Sequence, residues 1–157
     1  MMNKKLFSLI AIAFFLFSCK DDDEVNPEVL TQNQWQNVVE NTSADRPYEY
    51  VFSIEFEPNG KVYSEAFFRD LETNELIGFR EYLTGSFQII NGNIMVSILE
   101  LYTIQGSDDM YLDKEELSIV DGENLSRVFE LRNKNTELHT IMPLYASSLG
   151  IIYYRVD

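Results

Sequence analysis

Cysteine, histidine and basic residues are scarce in this chain, and each scarcity removes a class of chemistry. The single cysteine, Cys19, cannot form an intrachain disulfide or a multi-thiolate zinc site. The single histidine, His139, excludes a multi-histidine metal centre. Lys and Arg number 12 against 26 Asp and Glu, a net charge of −14. That balance argues against nucleic-acid binding, where clustered cations must meet phosphates. It equally disfavours adhesion of the protein's own surface to anionic lipid. The chain has no G-x-S-x-G elbow, no P-loop and no G-x-G-x-x-G. Nothing in it calls for a cofactor. No segment keeps an amphipathic helical period over three turns, and no βαβ pattern occurs. The longest apolar run, residues 6–17, is about a dozen residues, whereas a bilayer-spanning helix needs roughly 20.

That short run is informative in its own right. Lys4 and Lys5 precede it, and it ends at Leu16-Phe17-Ser18-Cys19, after which the chain switches to Lys20-Asp21-Asp22-Asp23-Glu24. A basic start, an apolar stretch and a small residue before a cut form a secretory signal. Leu, two residues, then Cys resembles the lipobox of bacterial lipoproteins. The resemblance implies cleavage before Cys19 and acylation of Cys19, with residues 1–18 as signal peptide and 19–28 as a lipidated acidic tether. Two or three acyl chains, at about 0.8 kcal/mol per buried methylene, would anchor the chain durably. The acidic run resembles the export tag of surface lipoproteins in Bacteroidota-type bacteria, which implies an outer-membrane, cell-surface location. The plainer alternatives are an ordinary signal with an incidental cysteine and a solvated spacer. Loss of Lys4 and Lys5 with the signal takes the charge from −14 to −16.

Beyond the tether the residues favour sheet. Nine Tyr, Trp35 and seven Phe remain after the signal. With Cys19 acylated, no covalent staple is left and the core alone must hold the fold. A domain is expected over 29–157, opening with a helical turn near 30–35 and a first strand at 35–39. Residues 50–57 alternate, with Phe52, Ile54 and Phe56 on one face; Pro58-Asn59-Gly60 turns the chain. The return strand sets Val62, Ser64, Ala66 and Phe68 against Tyr63 and Phe67. In the strand 76–84, Ile77, Phe79 and Leu83 share a face with Glu81, and Gly85 is expected to break the run. Asn91-Gly92 is the strongest short hairpin signal. After it, Ile94, Val96 and Ile98 oppose Met95, Ser97, Leu99 and Leu101, two apolar faces that imply cover on both sides or a partner on the outer one. Further short strands are expected at 117–119, 125–131, 138–142 and 151–156, with turns at 121–124 and 133–136, a stop at Pro143 and a small-residue link at 146–150. Nine or ten short strands joined by hairpins mean an all-β antiparallel barrel or sandwich.

The order of features resembles the lipocalin-like lipoproteins: a tether, a Trp in the first strand, hairpins with N-G or D-G turns, and a closing strand. Phe56-Glu57-Pro58-Asn59-Gly60-Lys61-Val62 and Gly85-Ser86-Phe87-Gln88-Ile89 through Asn93-Ile94 carry the resemblance. It implies an up-and-down barrel of about 8–10 strands. The Gly of the lipocalin Gly-x-Trp is Asn33 here. The resemblance also implies that Arg155, on the last strand, stacks on Trp35; the plainer alternative is a surface arginine among acidic neighbours.

Candidate site residues are few. His139, opposite Leu138 in its alternation, is expected to face solvent or to be satisfied in a network. Asp108, Asp109, Asp113, Glu115 and Glu116 could offer oxygens to calcium, but their spacing is not that of an EF-hand loop, and a solvated acidic loop is the expectation. Glu81 interrupts an apolar face. Either it is a polar hook inside a cavity, or a β-bulge near Gly78 turns it outward. The function expected is a non-enzymatic, lipid-anchored binding module for a small apolar or amphipathic ligand. The alternatives are an accessory or inhibitory lipoprotein with a filled barrel, working through loops such as 105–112, and a carboxylate-dependent hydrolase.

Overall fold

The computed structural model describes residues 25–121, 124–141 and 150–156. Cys19, the signal, the acidic run, Pro143, the link at 146–149 and the centre of the 121–124 turn lie outside them. The chain enters the fold through a short helix, α1 (Pro27–Gln32). Asn26 caps it by accepting from the Glu28 amide at 3.0 Å, and Pro27 occupies its first turn. Val25, four residues ahead of the expected boundary at 29, is buried in the core, and α1 straddles that boundary.

Nine strands follow among the described residues: β1 (Gln34–Asn41), β2 (Tyr48–Phe56), β3 (Lys61–Asp70), β4 (Leu76–Ile90), β5 (Asn93–Thr103), β6 (Ser118–Ile119), β7 (Ser126–Arg132), β8 (Glu137–Ile141) and β9 (Ile152–Val156). Every pairing is antiparallel. The sheet order runs β4-β3-β2-β1-β9-β8-β7-β5, and β4 also pairs with β5, which closes eight strands into an up-and-down barrel. β6 is a two-residue addition on the far end of β5, where β7 has ended. A 3-10 turn (Lys114–Glu116) precedes it. Among the described residues no helix is long and apolar enough to cross a membrane.

The alternation read from the sequence sets the inner wall. In β3, Val62, Ser64, Ala66, Phe68 and Asp70 are buried while their neighbours are half-exposed or exposed. Ile54 and Phe56 of β2 are buried, and β7 contributes Phe129 and Leu131, β8 Leu138 and β9 Tyr153. The Pro58-Asn59-Gly60 and Asn91-Gly92 turns form as expected. Gly60 and Gly92 sit at φ 85° and 78°, and Asn91 at φ 52°, the left-handed region that tight hairpins use.

Three irregularities depart from the sequence reading. First, Gly85 does not break a strand: β4 runs unbroken through fifteen residues. Gly85 instead lets β5 come close, since a Cβ there would lie 2.4 Å from the Ser97 carbonyl oxygen. Second, the β4–β5 register shifts beside it. Thr84 pairs with Glu100 and Gly85 with Ile98, leaving Leu99 as an extra residue. The bulge moves Leu101 to the face of Leu83, its partner, and leaves Leu99 82% exposed. The expectation that Leu99 and Leu101 share a face is therefore corrected. Third, two shifts against β3 leave Arg80 and Ile77 as extra residues in β4. They separate Phe79, paired with Phe67 on the outer wall, from Glu81, paired with Ala66 on the inner wall. The shared face of Ile77, Phe79, Glu81 and Leu83 is thus reduced to Glu81 and Leu83.

The core sits at one end. Val25, Val29 and Leu30 of the α1 segment close that end over Trp35, Phe56, Phe129 and Leu138. The Trp35 indole Nε1 donates to the Leu30 carbonyl at 3.2 Å, so the polar atom of a fully buried ring is satisfied by the helix that covers it. Asn33, where lipocalins have glycine, is extended at φ −123° and needs no glycine. Its amide donates to the Val29 carbonyl at 2.7 Å, serving the end of α1.

Candidate ligand-binding cavity

The other end of the barrel is open and chemically different. The inner positions that continue the same strands away from Trp35 become polar or aromatic: Tyr50 and Tyr48 beyond Ile54 and Phe52, Arg127 beyond Phe129, and Thr140 beyond Leu138. They enclose a cavity of about 360 Å³, within the range of small-molecule sites. Its apolar wall is Phe52, Ala66, Ile104 and Ile151; its polar wall includes Ser64, Thr103 and Thr140.

Charge is placed at its centre. The Arg127 Nη2 donates to Glu81 Oε1 at 2.7 Å, and each side chain keeps about a quarter of its surface exposed. The bulge expected near Gly78 exists, but it delivers Glu81 inward to the cavity wall, so the expectation that it turns Glu81 outward is corrected. The extra residue, Arg80, also reaches the cavity and donates through Nη1 to the Met110 carbonyl at 3.1 Å. Two phenols stand beside this pair. Burial pushes Tyr153 up to about 12, with the nearby Glu81 carboxylate adding to the rise and Arg127 opposing it. Burial likewise raises Tyr50. Both remain neutral phenols at physiological pH, fit to donate one hydrogen bond each.

Above the cavity lies an aromatic collar. Tyr50 stacks on Phe68 at 4.4 Å between centroids, Tyr48 meets Phe68 edge-on at 5.3 Å, and Tyr111 approaches it at 5.7 Å. Gly78 is required here, since a Cβ would come within 2.6 Å of the Tyr111 ring. Val39, Met110, Tyr48 and Phe68 bound a second hollow of about 310 Å³ that meets the first at Tyr50 and Arg80. The loop 105–112 thus supplies part of the rim through Met110 and Tyr111.

The remaining sequence candidates lie elsewhere. His139 is on the outer wall of β8, half-buried, with Nε2 2.7 Å from Glu137 Oε2. The hydrogen bond from His139 holds the Glu137 carboxyl below the usual range. Among the described residues no three His, Cys, Asp or Glu side chains come together as metal ligands, and this includes Asp108, Asp109, Asp113, Glu115 and Glu116. The segment after that loop instead packs on the outer wall. Lys114 Nζ reaches Glu65 at 2.6 Å and lies 4.1 Å from the Tyr82 ring centre, and Leu117 is buried. The register makes Trp35 and Arg155 direct cross-strand partners, with Trp35 buried and Arg155 exposed.

Arg80, Tyr50, Tyr153, Arg127 and Thr140 are site residues that the sequence does not single out. For two of them a signal is present: Arg127 shares its alternating face with Phe129 and Leu131, as Thr140 does with Leu138. The sequence matches no family model and no curated protein.

Proposed function

We propose that this protein is a lipid-anchored lipoprotein of the cell envelope, held at the outer membrane through Cys19, whose barrel is a non-enzymatic binding module for a small amphipathic ligand. The observation that carries the binding reading is the half-apolar cavity with Glu81, Arg127, Tyr50 and Tyr153 converging in it. Apolar walls supply affinity and a few placed polar groups fix orientation. Against catalysis stands the separation of the acids. Glu65 borders the cavity, but its carboxylate is held by Lys114, and His139 is engaged with Glu137 on the outer wall. Neither is presented to Glu81 as the second group that acid–base chemistry requires.

Native mass spectrometry of the protein taken from its own host is the direct test of binding. A retained small molecule, lost when Arg127 is replaced, is the expected result; an empty barrel at every host growth stage would remove the reading. The anchor is tested separately. Cys19→Ala should leave soluble or mistargeted precursor, and neutralising Asp21, Asp22, Asp23 and Glu24 should leave the protein anchored but lost from the cell surface. Membrane partition of a cleaved, unlipidated Cys19→Ala form would defeat the lipobox assignment.

A second reading, an accessory protein of a surface complex, is favoured by one feature. Leu99 stands 82% exposed beside an outer groove that Tyr63 and Ile98 line. A co-purifying protein released by Leu99→Glu would support it.

A further inference from the structure

We infer that the cavity takes a singly anionic amphiphile, a carboxylate on an alkyl chain, bound head inward with its chain running out along the collar. This rests on the binding-module reading and adds the ligand's charge and direction.

The direction follows from register. Glu81 pairs with Ala66, whereas the collar residue Phe68 pairs with Gly78, so the charged group lies one inner level nearer the sealed end. Below it is the apolar core of Phe129, Phe56 and Trp35, fully packed. Above it are Tyr50, Phe68, Val39 and Met110, and Val39 and Met110 are about half exposed. An apolar chain directed inward would meet the Glu81–Arg127 pair and strip it of water without compensation. Directed outward, the same chain covers exposed apolar rim while the head meets charge.

The sign follows from counting charges at that level. Arg80 and Arg127 reach the cavity against the carboxylate of Glu81. Glu65, the other acid on the wall, is neutralised by Lys114. Arg80 is in none of the ion pairs among the described residues. A chain with a large negative net charge therefore keeps one excess positive charge at its cavity, carried by Arg80 at the exposed mouth. Guanidinium forks suit a carboxylate, and the neutral phenols of Tyr50 and Tyr153 can donate to it. Glu81 already occupies one donor of Arg127 and leaves the rest of its fork for the ligand. Glu81 is thus an internal competitor for the group that binds.

The test compares decanoate, 1-decanol and decyltrimethylammonium, each below its critical micelle concentration, by titration calorimetry on the full-length protein. Decanoate should bind at least tenfold more tightly than either of the others. Arg127→Gln and, independently, the rim variant Arg80→Gln should each erode that preference while leaving decanol unchanged. Glu81→Gln should strengthen decanoate binding severalfold, an effect opposite to that of merely damaging the site. Val39→Asn should weaken decanoate and decanol alike, because the rim holds the chain and not the head. Equal binding of all three ligands, or weaker decanoate binding by Glu81→Gln at unchanged thermal midpoint, would overturn the carboxylate assignment and leave the binding module standing. No binding of any ligand would overturn both.

Discussion

The two ends of the barrel are built from the same strands and do opposite things. On β7, Phe129 and Leu131 are buried at the sealed end, while Arg127, one inner step away, is charged. On β2, Phe56 and Ile54 are fully packed, while Tyr50 and Tyr48 stay half-exposed. The sealed end has a helix over it and a tryptophan whose one polar atom is satisfied within the lid. The open end has its polar groups facing a void. Stability should therefore reside at the sealed end, and the open end should tolerate exchange of the polar side chains that line its cavity. This division of labour is what the following changes probe.

The largest effect is expected from Trp35→Ala. It empties the centre of the sealed end and removes the contact that fixes α1, and such core deletions cost about 3–5 kcal/mol. Chemical denaturation should show it, alongside a change of less than about 1 kcal/mol for Thr140→Val at the cavity. Comparable losses at both ends would erase the distinction. Gly85→Ala should come next. The added methyl meets the Ser97 carbonyl at 2.4 Å, backbone that cannot rotate away, and overpacking of this kind costs about 1–3 kcal/mol. A neutral result would mean that β4 and β5 can separate at the bulge. Arg155→Gln is the third. If the cross-strand partnership with Trp35 includes a stack, about 0.5–2 kcal/mol should be lost, and the loss should vanish in a Trp35→Ala background; an additive double mutant removes the stack.

Much of this fold was legible because hairpins are local. Alternation in β2 and β3, the Asn-Gly turn after Ile90 and the closing strand each depend on a few neighbouring residues. The bulge near Gly78 is legible in its place but not in its effect on Glu81, the β4–β5 bulge at Leu99 is not legible at all, and the site depends on the first of them. Nothing around Leu99 marks an extra residue. The shift arises when β4 must pair with β3 and β5 and still close the ring, a constraint carried by strands distant in sequence. Gly85 shows the ambiguity well. In sequence it reads as a breaker, yet its role is to let a neighbouring backbone approach. Glu81 stands out in the sequence as an interruption of an apolar face. Its partner Arg127 does not, because a lone arginine in a short strand looks like an outer-wall residue until Phe129 and Leu131 fix the inner face.

The smallest and most local expected effect lies at the open end's rim, at Asp70. Its Oδ1 accepts from the Thr73 and Glu72 amides at 2.9 and 3.0 Å, and its Oδ2 accepts from Arg46 Nε at 2.7 Å. The turn amide of Thr73 first, and the Arg46 guanidinium next, hold this carboxyl well below the ordinary carboxylate range. A depressed folded value means that the stabilisation is complete above the unfolded pKa, about 3.9. It is lost as pH falls below about 4 toward the folded value, because the unfolded chain takes up the proton first. Asp70→Asn keeps an acceptor for the turn but gives up the charge. The variant should be less stable than the parent at pH 7, and the gap should narrow progressively as the pH is lowered from 5 to 2 in parallel denaturation series. A gap independent of pH would show that the turn depends on the shape of the side chain and not on its charge. Because the exposed half of that ion pair is Arg46, with 60% of its side-chain surface open to solvent, the gap at pH 7 should also narrow in high salt, a response not expected of any substitution at the sealed end.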